Sequence, residues 1–455
     1  MNATLQRTIS IVAMLMLCFA SFSHALGEIE LSLGGSDKNS AEYKAFVNAH
    51  PEIVVHTETN IYLSTNEIIN AFLTGEFPFD TFVMTSSSFD IQQLMAKGYC
   101  APLTGSSVLH AEMEQMYTPI QQLVSQGGAI YGAPFFCYVG YYTYRPDAWE
   151  AAGLTAEDVP TSFEEFLDFL EKWVARIREN SEDEISVSNL FDSEQYGEHS
   201  YISYLVDRLI SNYIMQCNYA DEPLRFDTPM FRELLARCQS IGADLYKYEP
   251  EQKGNYGLFE DLYGMRELKY LVPLRLTTEQ PILIKASLYT AFLNARSQHQ
   301  SLATEYLENC VTCMEPQDAA YLYRDAQPVE DSEYKRAMDA VQTEIDRLAK
   351  RLEAEELEPS ERNLLQDQLA QKKLTWEEMA VSEARYLISE NDLQLYRTYG
   401  ENLYFQPPSI FDPSTENGKN MKQLRDRFCT GGMPAQQFIS ELDRLAWMLE
   451  MEAGE

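Results

Sequence analysis

The first hundred residues alternate between short apolar runs and segments with the apolar spacing of an amphipathic helix. The apolar runs have the length of strands, and polar turn residues separate them from the helical segments. In chain order, the predicted strands and helices are 28–33, 41–48, 53–57, 66–73, 77–84 and 91–97. Strand–helix alternation of this kind predicts an α/β fold with a mainly parallel sheet.

Polar side chains follow each of the three predicted strands. Ligands of parallel α/β sheets bind beyond the carboxyl ends of the strands, so these side chains are candidates for a binding site. Polar loop residues often serve only to form turns, and it is their common position at one edge of the sheet that favours a site. They are Ser36, Asp37, Thr59, Asn60, Ser86, Ser87 and Ser88.

The most unusual apolar pattern begins at a glycine turn, residues 127–128. A short strand follows, which Gly132 and Pro134 interrupt. Residues 135–144 then hold six aromatic residues and no charge, which predicts a strand buried on both faces. A helix that contains Trp149 comes next. We interpret this stretch as a crossing between two lobes that lines the cleft between them.

The remaining pattern predicts mostly helices. Ser162 and Glu165 form a capping box at the start of one that begins with Phe163. Further helices are predicted at 201–213, 229–241, 300–314 and 434–450, a loop rich in aromatic residues at 242–263, and extended segments at 271–276 and 281–286.

Residues 335–395 have the pattern of an antiparallel helical hairpin of the coiled-coil type. Apolar residues recur there at intervals of four, three and four before a break at Pro359, and further leucines continue the run after it. The positions are Val341, Ile345, Leu348, Leu352, Leu364, Leu365, Leu369 and Leu374. We favour a packing element or spacer over a docking arm for a partner.

The sequence ENLYFQ at 401–406 matches the recognition sequence of a protease used to remove tags. Pro407 follows it directly and would block cleavage there. We interpret the segment as natural chain because the residues around it continue the pattern without a break.

The charge balance is strongly acidic. The chain has 35 Lys and Arg against 70 Asp and Glu, a net charge of −35. A negative field of this size repels nucleic acid and anionic membrane surfaces, so neither is expected as a direct partner. A solvated acidic surface that keeps the protein in solution explains the charge without any specific ligand.

Residues 1–25 have the organisation of a secretory signal peptide. Arg7 precedes an apolar stretch at 9–22, and a small-residue cleavage site lies before Leu26. The protein is therefore expected to be exported, to a periplasm or the cell surface. Leu17 stands before Cys18, where lipoprotein signals have a small residue, so cleavage is favoured over a lipid anchor at Cys18.

Motifs for catalysis and metal binding are missing. The sequence has no GxSxG, HExxH, P-loop or GxGxxG, and its histidines lack metal-ligand spacing. Seven cysteines outside the signal peptide, an odd number at wide spacings, do not form a disulfide framework. Cys310 and Cys313 form a lone CxxC, and Cys310 lies on the apolar face of a helix, so buried thiols are expected. No cofactor or metal is predicted.

Aromatic residues give the positive signal for function. There are 28 Tyr and 22 Phe, clustered around 135–144 and 242–263. Aromatic rings pack against the apolar faces of sugars or peptides, and tyrosine adds a hydroxyl group. A secreted carbohydrate-active enzyme is the alternative, and it would need two facing carboxylates about 5 to 10 Å apart.

Three stretches resemble one known family. They are the 128–134 strand GAIYGAP with DAWEAAGL at 147–154, PTSFEEF at 160–166, and RSQHQSLA at 296–303. The segment 128–134 is similar to a G-x-x-YG-x-P strand, and 160–166 to a P-x-TW-x-E helix start with Ser162 and Phe163 at the Thr and Trp positions. In this order and behind an export signal, they resemble the family 1 extracellular solute-binding proteins of ABC importers, which include maltose-binding protein.

The resemblance implies two α/β lobes that close on a ligand like a hinge, without catalysis. It implies an N-terminal lobe of 26–136 and 284–328, and a C-terminal lobe of 137–283 and 329–455 that carries the hairpin. The expected partners are a small solute, with a carbohydrate favoured, and the membrane permease of an ABC importer. The receptor itself is expected to be a monomer.

Ligand contacts are predicted from this topology, because the contact residues of the family vary too much to be carried over. For most single tyrosines, ordinary core packing remains the favoured role. The predicted contacts are Ser36, Asp37, Thr59, Asn60, Asp80, Ser86 and Ser87 in the first lobe, Phe136 and Tyr138 at the crossing, and Tyr196, Tyr256 and Arg275 in the second.

Overall fold

The computed structural model describes residues 29–59, 65–179, 189–191, 200–248, 257–265, 267–353, 358–406 and 416–453. The predicted signal peptide, with Cys18, lies outside these residues. Among them, no helix has the length and apolar character needed to span a membrane.

Twelve strands and sixteen α-helices are described. The strands are β1 Glu30–Gly34, β2 Val54–Glu58, β3 Thr81–Thr85, β4 Ser125–Gln126, β5 Ala129–Ile130, β6 Gly132–Tyr144, β7 Asn189–Phe191, β8 Gly257–Tyr263, β9 Ile284–Leu293, β10 Val329–Glu330, β11 Tyr386–Ile388 and β12 Leu403–Phe405. The helices are α1 Ala41–Ala49, α2 Thr65–Thr74, α3 Ile91–Ala96, α4 Ser107–Gln115, α5 Thr118–Leu123, α6 Pro146–Ala151, α7 Phe163–Glu179, α8 Ser200–Tyr219, α9 Pro229–Tyr248, α10 Gln300–Thr312, α11 Pro316–Ala319, α12 Ser332–Leu352, α13 Pro359–Val381, α14 Glu390–Tyr399, α15 Glu416–Cys429 and α16 Ala435–Ala453.

The described residues form two compact units. Unit 1 takes the described residues within Met1–Glu114, Val124–Phe135 and Tyr289–Met314, and unit 2 takes those within Gln115–Leu123, Phe136–Leu288 and Glu315–Glu455. Strands β6 and β9 each continue from one unit into the other. The units differ from the predicted lobes mainly at 115–123 and 315–328, which belong to unit 2. The assignment of lobes stays a prediction.

Unit 1 has the predicted α/β arrangement. Strand β1 pairs in parallel with β2 and β3, and β9 adds an antiparallel strand beside β3. Strand β3 is shorter than predicted and begins only at Thr81. The residue at the start of the predicted run, Phe77, instead stacks on Phe72 with ring centroids 4.2 Å apart. The core contains Leu31, Leu33, Phe46, Ile68, Phe72 and Phe82.

His50 links two helices of unit 1. Its backbone N–H donates to Phe46 at the end of α1, and its Nε2 lies 2.9 Å from Glu305 Oε1 on α10. Glu52 Oε1 lies 3.6 Å from Nδ1. The hydrogen bond with Glu305 is the largest influence, and it raises the pKa of His50 above its ordinary 6.5 although partial burial opposes it.

We therefore expect His50→Gln to destabilise the protein in acid more than in base. A raised pKa in the folded state means that the contribution of His50 is complete below its ordinary pKa and is lost as the pH rises through the raised value. The measurement is the urea midpoint of both proteins between pH 5 and pH 8. His56→Gln, in an exposed pair with Glu30, is the control. A difference that does not change with pH would contradict this role.

The long strand β6 is not interrupted, which corrects the prediction for Gly132 and Pro134. Gly132 is the first residue of the strand, and its neighbour β9 approaches it closely. A Cβ atom at this position would lie 2.4 Å from Thr290 Cγ2 and 2.8 Å from Phe292 Cε1. The glycine therefore serves close packing and not a turn. The true turn, at 127–128, joins β4 to β5, and both of its glycines have positive φ.

Unit 2 corrects the loop predicted at 242–263. Helix α9 continues to Tyr248, and strand β8 occupies Gly257–Tyr263. Gly242 faces helix α8 so closely that a Cβ atom there would lie 2.7 Å from the backbone nitrogen of Ile202. In sequence this glycine looks like the end of a helix, whereas in the structure it lets two helix backbones approach.

Two smaller differences concern where single elements begin and end. Strand β9 runs from Ile284 to Leu293 and is much longer than the extended segment predicted at 281–286. At the start of α7, Ser162 Oγ accepts from the Glu165 N–H at 3.2 Å as expected. The Glu165 carboxylate, however, accepts from the Thr161 N–H at 2.8 Å and not from Ser162. The predicted capping box is therefore only half formed.

Phe259 on β8 is the centre of the aromatic core of unit 2. It is fully buried and contacts five other rings at centroid distances of 5.2 to 6.4 Å. These rings are Tyr142, Trp149, Phe166, Phe169 and Phe191. Strand β8 lies between β6, its antiparallel neighbour, and β7, which is parallel to it. The core thus holds β6 and helices α6 and α7 together.

The helical hairpin consists of α12 and α13. Most of the apolar positions predicted for the contact between its two helices are buried or half-buried, with Ile345, Leu348 and Leu365 buried. Leu364 and Leu374 are instead 57% and 49% exposed, because α13 turns the face that contains Leu365 towards α12. Residues 382–395, which the prediction counted in the hairpin, form a 3₁₀ turn, β11 and the start of α14. The two-stranded sheet of β10 and β11 closes the base of the hairpin.

The ENLYFQ segment is an integral part of unit 2, as predicted. Its central residues form β12, which pairs in parallel with β9 at Ile284. Leu403 and Tyr404 are buried, and Asn218 Nδ2 donates to Tyr404 Oη at 2.8 Å.

Every cysteine of the described chain is a free thiol, and all but Cys313 are buried. Burial raises the pKa of Cys217 and of Cys429 to about 11. Thiols that stay protonated at neutral pH are weak nucleophiles, so these residues act as small apolar side chains, as expected for Cys310.

Candidate functional site

The carboxyl edge of the unit 1 sheet collects most of the predicted contacts of that unit. Because β1, β2 and β3 are parallel, the residues after each strand lie at the same edge. These are Ser36, Asp37, Thr59, Ser86 and Ser87. The prediction of a shared edge is therefore confirmed for these five, and their role in ligand binding stays a prediction.

Several of these side chains already have partners. Ser36 is buried, and its Oγ lies 2.6 Å from Tyr306 Oη on α10. Asp37 Oδ1 accepts from the Asn39 N–H at 2.8 Å in a local turn. Ser86 is buried, whereas Asp37, Thr59 and Ser87 are exposed. The three exposed residues offer accessible polar groups at this edge, as does Ser88, which is also exposed.

Asp80 does not belong to this group, which corrects its prediction. It precedes β3 and therefore lies at the opposite, amino edge of the sheet. Its carboxylate accepts from the Ser32 N–H at 2.8 Å and from Ser297 Oγ at 2.6 Å. These bonds join β1 to the segment after β9, so Asp80 has a structural role.

Arg275 also has a structural role. Its Nε donates to the Thr161 carbonyl at 2.9 Å, and its Nη1 donates to the Gln280 carbonyl at 2.8 Å. Its own carbonyl accepts from the Phe163 N–H at 2.7 Å. Arg275 thus fixes the segment after residue 271 to the start of α7. The other predicted contacts Asn60, Tyr196 and Tyr256 lie outside the described residues.

Tyr138 and Tyr263 form an exposed pair of stacked rings in unit 2, which we call the aromatic platform. The ring centroids are 4.7 Å apart with an interplanar angle of 23°. Tyr138 is 44% exposed and Tyr263 is 60% exposed, whereas Phe136, two residues earlier on β6, is half-buried. Partly exposed aromatic rings of this kind can bind the apolar face of a ligand.

Gly140 makes this stacking geometry available. It stands opposite Tyr263 in the register of β6 and β8. A Cβ atom at Gly140 would lie 2.9 Å from Tyr263 Cε1, so only glycine lets the ring lie across β6 and reach Tyr138.

Charged groups lie beside the platform. Arg208 on α8 covers the rings of Tyr142 and Tyr204 at 4.5 and 4.9 Å, and it donates to Asp261 Oδ2. Both charges act on Lys285, a residue of β9. Partial burial and then the Arg208 charge lower the pKa of Lys285, against the opposing effect of Asp261. Burial and then Asp261 raise the pKa of Tyr263.

The platform and its charges could bind an organic ligand that has both an apolar face and polar substituents. Tyrosine hydroxyl, guanidinium and carboxylate groups supply donors and acceptors near the rings. Among the residues that the structure describes, no group of three or more His, Cys, Asp and Glu side chains is arranged to hold a metal ion.

Sequence reasoning found only part of this site. Tyr138 was predicted, and Tyr263 was noted as aromatic but assigned to a loop. Arg208, Asp261 and Lys285 were missed, since they lie on three separate elements. The sequence did contain one signal for the site. Tyr138, Gly140 and Tyr142 alternate along β6 and therefore lie on the same face of the strand, which is buried at Tyr142 and exposed at Tyr138.

No protein-family model matches the sequence, and no curated protein matches it at a significant level. Solved structures do match. The cyclic α-maltosyl-1,6-maltose binding protein of Arthrobacter globiformis is 12% identical, with a TM-score of 0.51, covering 92% of this chain and 98% of its own. A sugar transporter from Rhizobium etli in an open conformation is also 12% identical, with a TM-score of 0.51, covering 92% and 99%. A family 1 extracellular solute-binding protein from Bifidobacterium longum subsp. infantis is 14% identical, with a TM-score of 0.49, covering 93% and 100%.

Matches of this coverage at such low identity establish the architecture of the chain and not its ligand. The α/β class and the paired compact units agree with the fold that the sequence resemblance implied. The chain has a fold similar to that of the Arthrobacter globiformis binding protein and of the Rhizobium etli sugar transporter.

Proposed function

We propose that this protein is an exported receptor that captures a small carbohydrate and delivers it to the permease of an ABC importer, without catalysing a reaction. The observation that carries the proposal is the aromatic platform, an exposed tyrosine pair beside charged side chains, in a chain with this fold. Both matched structures with a TM-score of 0.51 are named for sugar binding or sugar transport, which supports a carbohydrate.

The proposal includes export through residues 1–25 and cleavage before Leu26, without a lipid anchor at Cys18. It also includes the absence of catalysis. A glycosidase needs one carboxyl group to protonate the leaving oxygen and a second to act as base or nucleophile. Asp261 at the platform already accepts a hydrogen bond from the Arg208 guanidinium, so its carboxylate is engaged within the protein.

Calorimetric titration of the mature chain with a panel of oligosaccharides tests this function. We expect saturable binding of at least one sugar in the micromolar range or tighter, with no release of reducing ends on prolonged incubation. Binding of peptides or metal complexes, with no sugar bound, would refute the carbohydrate. Hydrolysis of the bound sugar would refute the receptor and support the enzyme.

A further inference from the structure

We propose that Asp261 selects the sugars that the aromatic platform binds, by accepting a hydrogen bond from one hydroxyl group of the stacked sugar. The inference rests on the proposed function, because it concerns the ligand of the same site. It narrows the ligands from carbohydrates in general to sugars whose hydroxyl group beside Asp261 is free. Sugars that are deoxygenated, fluorinated or etherified at that position are rejected.

The first support is the position of Asp261 on the sheet. Asp261 and Tyr263 are two residues apart on β8, so both side chains lie on the same face of the strand. In the unbroken register with β6, Asp261 stands opposite Tyr142, and Tyr263 stands opposite Gly140. Neighbouring positions on one face of a strand are about 7 Å apart. A sugar ring that stacks on Tyr263 therefore has edge hydroxyl groups close to Asp261.

The second support is the capacity of the Asp261 carboxylate. Arg208 donates to Oδ2, and the Asp261 side chain is 47% exposed. Among the residues that the structure describes, no other side chain donates to this carboxylate. An ionised carboxylate has two oxygens that only accept hydrogen bonds, so Oδ1 remains available to a donor on the ligand. A hydroxyl group is such a donor, whereas hydrogen on carbon, fluorine and an ether oxygen are not.

The third support is the way in which Arg208 holds the carboxylate. The Arg208 side chain is only 21% exposed, and its guanidinium lies over the rings of Tyr142 and Tyr204 at 4.5 and 4.9 Å. These cation–π contacts and the bond to Asp261 fix both charged groups. An acceptor that is already held in place loses little conformational freedom when the ligand binds, so more of the hydrogen-bond energy appears as affinity. Arg208 is thus a positioning residue for Asp261.

The first test changes the sugar and leaves the protein intact. The parent sugar is the tightest-binding member of the oligosaccharide panel, which includes maltose, cellobiose and lactose. In its derivatives, one hydroxyl group at a time is replaced by hydrogen or by fluorine. We expect at least one position at which both replacements weaken binding about ten- to a hundredfold by calorimetry, because a hydrogen bond to a charged group is lost.

The variant Asp261→Asn then assigns this loss to one side chain. It keeps the shape of Asp261 and removes its charge. We expect the parent sugar to bind about tenfold more weakly, and the replacements at the same position to weaken binding less than about threefold further, because the partner of that hydroxyl group has been altered. A merely structural role of Asp261 would weaken all forms equally and leave the loss at that position in place.

The matched control is Asp168→Asn. Asp168 is an exposed carboxylate of the same unit, and it accepts at 2.6 Å from Arg237, whose side chain is 22% exposed. This pair resembles that of Asp261 and Arg208 in burial and charge but lies on helices α7 and α9. The control variant is expected to bind every form of the sugar as the unaltered protein does.

The outcomes separate this inference from the proposed function. If no single replacement weakens binding by more than about threefold, the inference is overturned and the carbohydrate receptor stands. A loss that persists in full in Asp261→Asn overturns the role of Asp261, as does an equal loss of affinity in Asp168→Asn. If no sugar of the panel binds, the proposed function itself fails.

Discussion

Removal of either ring of the aromatic platform, by Tyr138→Ala or Tyr263→Ala, is expected to weaken carbohydrate binding by about ten- to a hundredfold, or about 1.5–3 kcal/mol. Each ring supplies stacking area to the ligand and also holds the other ring in place, at a centroid distance of 4.7 Å. For this reason the double variant should lose little more than the stronger single variant. Calorimetry with the best ligand from the sugar panel measures the effect.

Two sets of controls accompany these variants. Tyr138→Phe and Tyr263→Phe keep the rings and should retain most of the affinity, so they separate stacking from hydrogen bonding by the hydroxyl groups. Tyr246→Ala removes a tyrosine of similar exposure, 48%, from helix α9 of the same unit and should leave binding unchanged. Unaltered affinity in both platform variants would show that the ligand binds elsewhere.

Phe259→Ala is expected to cost about 3–5 kcal/mol of folding free energy, the largest effect on stability that we predict. The substitution removes a fully buried ring that contacts five others, and the surrounding strands and helices cannot close the cavity without moving. Urea denaturation followed by tryptophan fluorescence measures the loss, because Trp149 lies against this ring at 5.3 Å.

Phe259→Leu, which keeps most of the volume, should lose much less than the alanine variant. Trp447→Ala, at a 52% exposed position on α16, should be close to neutral. A loss below about 1 kcal/mol in Phe259→Ala would mean that the aromatic cluster repacks, and would contradict its role as the centre of unit 2.

The elements of unit 1 could be predicted closely because the spacing of the apolar residues and the positions of the turn residues indicate the same boundaries there. Each strand is short and apolar, and each helix has a clear polar face. The prediction failed where glycine serves close packing. Gly132 and Gly242 look like breaks in the sequence, yet Gly132 begins β6 and Gly242 lies inside α9, and a Cβ atom at either would clash with a neighbouring element. A single sequence does not reveal which neighbour approaches a glycine.

The candidate site was predictable only where it lies on one strand. Tyr138 could be found because it belongs to an unusual aromatic run. The platform also needs Tyr263, and its charges come from α8, β8 and β9, which tertiary folding brings together. Asp80 shows a different error, since it lies within the predicted strand 77–84, whereas in the structure it precedes β3 and lies at the amino edge of the sheet.

The closed base of the α12–α13 hairpin bears on how this chain can change in evolution. Two helices of 21 and 23 residues lie between β10 and β11 in the chain, and at their base the Asp331 N–H donates to the Arg385 carbonyl at 2.8 Å. The ends of the segment are therefore neighbours. A relative could lose the whole hairpin if one short turn joined the two strands, or it could carry a longer hairpin. Neither change would alter the aromatic core or the platform.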